Sequence, residues 1–160
     1  MQPTIKERIK QRRAFASPEQ EAMLGIRMVA SRLLAPWEKF LDAQAGLTTS
    51  QFNVLRILRG SHPAPLTCGD IGERTIAREP DITRLIDRLD ARGLVKRTRS
   101  EEVRRVVEVH ITPKGLDVLR ELDPHSEKMP KALIGHLGKA KLRQLAKLTA
   151  EVLDGMGTYP

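Results

Sequence analysis

The most constraining feature of this chain is an apolar stripe within residues 80–92. Four aliphatic residues stand there at positions i, i+3, i+4 and i+7: Ile82, Leu85, Ile86 and Leu89. This spacing places all four on one face of an α-helix. If that face is buried, the helix must present Thr83, Arg84 and Arg88 on its outer side. The sequence therefore predicts a short amphipathic helix with arginine side chains directed away from the core.

A shorter helix is expected just before this one. Thr67 is predicted to be its N-cap, with Asp70 as the acid of a capping box. Ile71 and Ile76 are its expected core residues. The stripe-bearing helix is then predicted to begin with Pro80 at its first position and to end at Gly93.

Two β-like runs follow, at residues 94–99 and 105–111. In the second run Val107, Val109 and Ile111 alternate with more polar neighbours, as in a half-buried strand. The polar turn between the runs predicts a hairpin. The order helix, turn, helix, strand, wing and strand is that of a winged helix-turn-helix.

Long helical patterns flank this unit. A helix is predicted to start at Ser17 and Pro18, to run to about residue 43 and to be followed by Gly46 as a left-handed C-cap. Thr48 is predicted to cap a further helix. On the other side, Thr112 and Pro113 are predicted to restart helix, which Pro124 should end, and a last helix is expected over 130–156.

We therefore divide the chain into four parts. Residues 1–16 are expected to form a basic arm, either solvated or touching phosphates; 17–46 an N-terminal helix for dimerisation; 47–112 the winged helix-turn-helix; and 113–160 C-terminal helices for dimerisation. The fold class is mainly α with a small antiparallel β-hairpin. Both terminal parts carry apolar stripes that usually mean a partner, although packing on each other within one chain is the alternative.

The composition limits the classes of function and partner that the chain can have. The net charge is +8, which favours a polyanionic partner, whereas aromatic residues are only 3%, too few for stacking single-stranded bases. The single cysteine, Cys68, fits a reducing compartment such as the cytoplasm. The four histidines lack metal-ligand spacing, and no catalytic, cofactor or membrane-spanning motif is found, so an enzyme, a cofactor, a metal site and a membrane protein are not expected.

Duplex DNA is the partner that these features favour. In a helix-turn-helix the second helix enters the major groove with its N-terminal residues at the base edges. Arg84 can address guanine. Five basic residues cluster at the hairpin tip and can reach phosphates or a narrow minor groove: Lys96, Arg97, Arg99, Arg104 and Arg105. The predicted DNA contacts are Arg78, Pro80, Thr83, Arg84, Arg88, Arg99, Arg104 and Arg105. A solvated helix held by pairs such as Arg84 with Asp87 is the plainer alternative.

Four blocks of the sequence, at 47–55, 81–89, 93–97 and 103–115, resemble the multiple-antibiotic-resistance regulator (MarR) family in order and spacing. The resemblance covers roughly residues 20–155. It implies a homodimeric winged-helix transcriptional regulator of a near-palindromic duplex site, with its first and last helices interleaved. Arg105 matches the family's wing arginine. Val103 stands where the family usually has an aspartate. Glu101 or Glu102 would then have to take the place of that aspartate in holding the wing.

The family also often responds to small aromatic acids or phenols, bound between the dimer arm and the DNA-binding lobe. Arg32, Trp37, Phe40 and His62 are the candidate effector residues by that resemblance, and ordinary core or surface positions are the alternative for each. A repressor relieved by such an effector is favoured over an activator. A winged helix that binds an acidic protein, or an effector-independent architectural DNA binder, remains open.

Overall fold

The structure is a computed structural model that describes residues 3–76, 81–99 and 107–156. Its helices are α1 (Ile5–Arg8), α2 (Pro18–Ala45), α3 (Thr49–Ser61), α4 (Cys68–Glu73), α5 (Ile82–Ala91), α6 (Pro113–Ile134) and α7 (Gly138–Gly155). Its strands are β1 (Leu66–Thr67), β2 (Val95–Arg99) and β3 (Val107–Ile111). The predicted class, mainly α with a small antiparallel sheet, is confirmed.

Side-chain caps fix where the helices begin. Ser17, Thr48, Thr67 and Thr112 each accept a hydrogen bond from the backbone N–H three residues on, as their sequence positions predict. At Thr67 the capping box is complete, because its hydroxyl and its N–H both donate to the Asp70 carboxylate. These bonds lower the pKa of Asp70, and the bond from the hydroxyl has a larger effect than the bond from the N–H.

The three strands form one antiparallel sheet in the order β1-β3-β2. Val95 pairs with Ile111 and Arg97 pairs with Val109, which confirms the predicted hairpin and its inward alternation. Strand β1 was not predicted, since two residues are too few for an alternating pattern to register. Residues 105 and 106, the start of the predicted second strand, lie outside the described residues.

The core gathers beneath the sheet and the central helices. Its fully buried side chains include Leu41 of α2, Leu55 of α3, Ile71 of α4, Ile86 and Leu89 of α5, Val109 of β3 and Leu119 of α6. Each of these helices therefore contributes at least one apolar side chain to one common core. Helix α7 is different, because none of its residues is buried.

The predicted core role of Ile76 is wrong. Its side chain is 87% exposed, whereas Ile71 is fully buried. Helix α4 ends at Glu73, so the helical spacing that relates the two isoleucines does not extend to the second one.

The predicted end and start of the C-terminal helices are also wrong. Helix α6 continues through Pro124 and Pro130 to Ile134. A proline inside a helix removes one N–H, so the carbonyl four residues earlier loses its partner. For Pro124 this is the carbonyl of Arg120, an exposed residue, where water can bind the free oxygen. The break comes instead at Gly138, whose φ of 74° directs the chain into α7.

The N-terminal arm is more ordered than a solvated segment. Thr4 and Glu7 form a capping box at the start of α1. Helix α1 packs against α2, where the Ile5 side chain lies over Gly25. Four of the basic residues of the arm remain exposed: Arg8, Lys10, Arg12 and Arg13.

Candidate nucleic-acid interface

Helix α5 carries the candidate interface. Leu85, Ile86 and Leu89 are buried, and Ile82 is partly buried against the same core. This confirms that the aliphatic stripe points inward. Thr83, Arg84 and Arg88 are exposed, as the helical geometry requires. The orientation of α5 is thus fixed by four apolar side chains that leave its polar face to solvent.

The helix begins at Ile82, two residues after the predicted start at Pro80. Asp81 is its N-cap and accepts a hydrogen bond of 3.1 Å from the Arg84 N–H. The Nε atom of Arg84 also lies 3.1 Å from Asp81 Oδ2. The side chain of Arg84 is nevertheless 79% exposed, so Asp81 orients the guanidinium at the helix N-terminus without covering it.

The suggested pairing of Arg84 with Asp87 is not observed. Asp87 instead accepts a hydrogen bond from the guanidinium of Arg97 on strand β2. The sequence placed Arg97 among the basic residues of the hairpin tip, but the structure turns it toward α5. Arg99, at the end of β2, is exposed and remains available at the described end of the hairpin.

The interface is joined to the long helix α2 by a contact that the sequence did not reveal. The Arg92 guanidinium donates to the carbonyls of Ala45, at 2.6 Å, and Gly46, at 2.8 Å. In turn, the Lys114 ammonium donates to the Arg92 carbonyl at 2.8 Å. The sequence did contain a general indication of this contact, because carbonyls at a helix C-terminus attract basic side chains. Arg92 therefore connects the C-terminal ends of α2 and α5.

Several predicted DNA contacts lie outside the described residues. They are Arg78, Pro80, Arg104 and Arg105. The same holds for Glu101, Glu102 and Val103, on which the family comparison of the wing depends. Of the eight predicted contacts, Thr83, Arg84, Arg88 and Arg99 are the ones that the structure places on the exposed surface.

The candidate effector residues are only partly brought together. Trp37 is buried, and its ring stacks on Phe40 with centroids 5.5 Å apart. His125 of α6, which the sequence did not single out, stacks on Phe40 with a centroid distance of 3.7 Å. His125 was missed because the helix that carries it was expected to end at Pro124.

Arg32 and His62 are not seen to join this aromatic cluster. Arg32 is exposed on α2, on an open surface that it shares with Leu24 and Met28. His62 is the C-cap residue of α3. Within the described residues, no hydrogen bond, ion pair or ring contact connects either side chain to Trp37.

Two further site classes find no support in the described part of the chain. No group of three or more potential metal ligands is found there, nor is any helix long and apolar enough to cross a membrane. Cys68 is the first residue of α4, is partly buried and forms no disulfide.

The chain is similar to known transcriptional regulators. The MarR family model matches residues 45–106. Transcriptional repressor MprA of Escherichia coli K12 is 31% identical over 129 residues, which cover 78% of this chain and 70% of MprA. A MarR transcription factor from Planctomyces limnophilus is 42% identical, with coverage of 86% of this chain and 98% of that one and a TM-score of 0.64.

A third relative is BpsR of Bordetella bronchiseptica, whose structure concerns the regulation of its DNA binding by 6-hydroxynicotinic acid. BpsR is 26% identical to this chain, and the match covers 79% of this chain and 94% of BpsR with a TM-score of 0.69. These matches agree with the winged helix built from α3, α4, α5 and the hairpin. The chain belongs to the MarR family of transcriptional regulators.

Proposed function

We propose that this chain is a homodimeric repressor that binds a near-palindromic site in duplex DNA and releases it when a small effector binds. The observation that carries the proposal is the orientation of α5. Its apolar face is committed to the core, so Thr83, Arg84 and Arg88 form an exposed polar face. A hairpin with basic residues follows directly, as in other winged helices that hold DNA.

Each exposed residue has a role that its position suggests. Arg84, near the N-terminus of α5, is assigned to a guanine in the major groove, and Thr83 to a thymine methyl group or a phosphate. Arg88, one turn further along, is assigned to a phosphate. Arg99 extends these contacts along the hairpin. The assignments of Arg78, Pro80, Arg104 and Arg105 rest on the sequence alone.

The dimer is inferred from apolar side chains that the monomer leaves uncovered. On α7, Leu148 is 51% exposed and its neighbours along the helix face are similarly open. The stripe on this helix comprises Leu145, Leu148, Val152 and Met156. On α2, Met23, Ile26 and Val29 are also at least half exposed. A second copy would cover both stripes and place two α5 helices about 34 Å apart, one turn of DNA.

The effector is proposed to be a small aromatic acid or phenol. The relative BpsR supports this class, since 6-hydroxynicotinic acid regulates its DNA binding. Phe40 and His125, which stack on the buried Trp37, offer aromatic surface. Arg32 and His62 remain candidates for the acid group, if the partner helix brings them close. Binding there would alter the separation of the two α5 helices until they no longer fit successive grooves.

The protein is proposed to act in the cytoplasm as a regulator, not as an enzyme. Its role as a repressor follows the name of MprA, the relative with 31% identity. Repression would come from mutual exclusion, because a dimer bound across a promoter blocks access to it.

The test is a binding titration on the duplex directly upstream of the chain's own coding region. The same measurement on a shuffled duplex of equal composition gives the non-specific affinity. We expect the upstream duplex to bind about 10³-fold more tightly or better. Both affinities should fall linearly in a log–log plot against salt, with a slope near −0.9 per phosphate contact. Equal affinities would indicate an architectural binder, and no salt-dependent DNA binding would refute the proposal.

A pair of variants tests the dimer. Leu148→Asp places a charge in the exposed stripe of α7 and should yield monomers in sedimentation velocity. Ala150→Asp adds the same charge on the opposite side of the same helix and should leave the dimer intact. Dimers in both variants would show that this stripe is not the interface.

A further inference from the structure

Arg97 has an unusual position for a basic residue of a DNA-binding hairpin. It pairs across the sheet with Val109, which is fully buried. Residues directly opposite in an antiparallel pair share one face of the sheet. Arg97 therefore lies on the core-facing side, and only 29% of its side chain is exposed. A guanidinium in that position needs a partner of opposite charge.

Asp87 supplies that partner from helix α5. Its carboxylate accepts a hydrogen bond from the Arg97 guanidinium. The backbone of Asp87 cannot turn away, because Ile86 beside it and Leu89 two residues on are both fully buried. The ion pair thus connects two rigid bodies: the helix that faces DNA, and the strand that leads to the wing.

This geometry points to Asp87 as a positioning residue for DNA recognition. We infer that Asp87, through Arg97, fixes the angle between α5 and the hairpin and thereby sets the discrimination between operator and other DNA. The inference rests on the proposed function. A specific complex requires α5 to reach base edges while the hairpin reaches the backbone at the same time. A non-specific complex needs only phosphate contacts, which tolerate a change in that angle.

Loss of the Asp87 carboxylate has two separate effects on DNA binding. Removing a negative charge near DNA strengthens binding to every sequence, because phosphate repulsion falls. Losing the fixed angle weakens binding to the operator alone. The ratio of the operator affinity to the shuffled-duplex affinity cancels the first effect and reports the second.

Asp87→Asn is the test, with Asp90→Asn as its matched control. Asp90 lies on the same helix, is exposed, and has no side-chain partner within the described residues. For Asp87→Asn we expect the affinity ratio to fall by roughly three- to tenfold, in the lower part of the range for a broken pair of contacting residues. For Asp90→Asn we expect both affinities to rise together and the ratio to stay within twofold of the wild type.

Two more variants complete the test. Asp87→Glu keeps the charge and should recover most of the ratio. Arg97→Ala should lower the ratio about as much as Asp87→Asn, and the double variant should be no worse than Arg97→Ala. Thermal unfolding of each variant checks that it folds.

The outcomes are distinguishable. If the wild-type chain does not prefer its upstream duplex, the proposed function itself fails. If the wild type is selective and Asp87→Asn keeps the wild-type ratio, the inference is overturned, and a lowered melting temperature at an unchanged ratio would show that the pair serves only stability. A fall in ratio that Asp90→Asn reproduces would also overturn it.

Discussion

Gly115 lies where α6 packs against the start of the hairpin, and replacing it with alanine is expected to destabilise the fold. A Cβ atom at this position would stand 2.3 Å from the Leu94 carbonyl oxygen and 2.9 Å from Ile111 Cγ1. The Leu94 carbonyl cannot move freely, because it accepts hydrogen bonds from the N–H and from the hydroxyl of Thr112. The helix or the strand must therefore shift.

Overpacking against backbone of this kind costs about 3 kcal/mol of unfolding free energy. For a chain of this length that corresponds to a melting temperature lower by about 6 to 12 °C. Chemical denaturation measures the loss of unfolding free energy. All variants are compared at one protein concentration, because the stability of a dimer depends on concentration. We also expect weaker operator binding, because α6 and the base of the hairpin move together.

Gly60→Ala is the matched control. Gly60 lies in α3, where a Cβ atom would meet nothing within 4 Å. Alanine should therefore stabilise the helix, by about 0.5 kcal/mol. A Gly115→Ala variant as stable as the wild type would refute the packing that we describe between α6 and Leu94.

Three other predictions concern contacts that hold the DNA-binding unit together. Arg59 and Asp123 form a two-bond ion pair between α3 and α6, and a double-mutant cycle with alanine should give a coupling of about 1 kcal/mol in unfolding free energy; additive losses would contradict the pair. Because hydrogen bonds from Thr67 lower the pKa of Asp70, the contribution of this carboxylate to stability is complete above its ordinary pKa and is lost as pH falls through the lowered one. Thr67→Val should raise that pKa in an NMR titration, and an unchanged value would be inconsistent with the capping box. Arg92→Ala removes the bonds to the C-terminal carbonyls of α2 and should cost about 1 kcal/mol in urea unfolding, whereas Arg92→Lys should retain part of it; no loss in the alanine variant would show that this contact does not stabilise the fold.

The sequence was most informative where a local rule decides the structure. Caps at Ser17, Thr48, Thr67 and Thr112 each depend on one hydroxyl and the N–H three residues away, so they can be read directly. The stripe on α5 depends only on helical periodicity. The inner and outer faces of α5, and with them the exposure of Arg84, followed from these local rules.

The failures arose where distant packing overrides a local preference. Pro124 normally ends a helix, yet α6 continues through it beside the Arg59–Asp123 ion pair and the stacked ring of His125. The direction of Arg97 depends on strand register, which the sequence does not fix until the hairpin partner is known. Its contact with Asp87 spans two elements and could not be found from spacing alone.

We propose that Arg84, on the exposed face of α5, reads a base of the duplex. The direct measurement compares wild type and Arg84→Ala on the upstream duplex and on copies in which each G·C pair is changed in turn. We predict that Arg84→Ala costs about 1–3 kcal/mol on the upstream duplex, and that at one position the base change weakens the wild type but has no further effect on the variant. Fully additive losses at every position, or an equal loss on shuffled DNA, would contradict the claim.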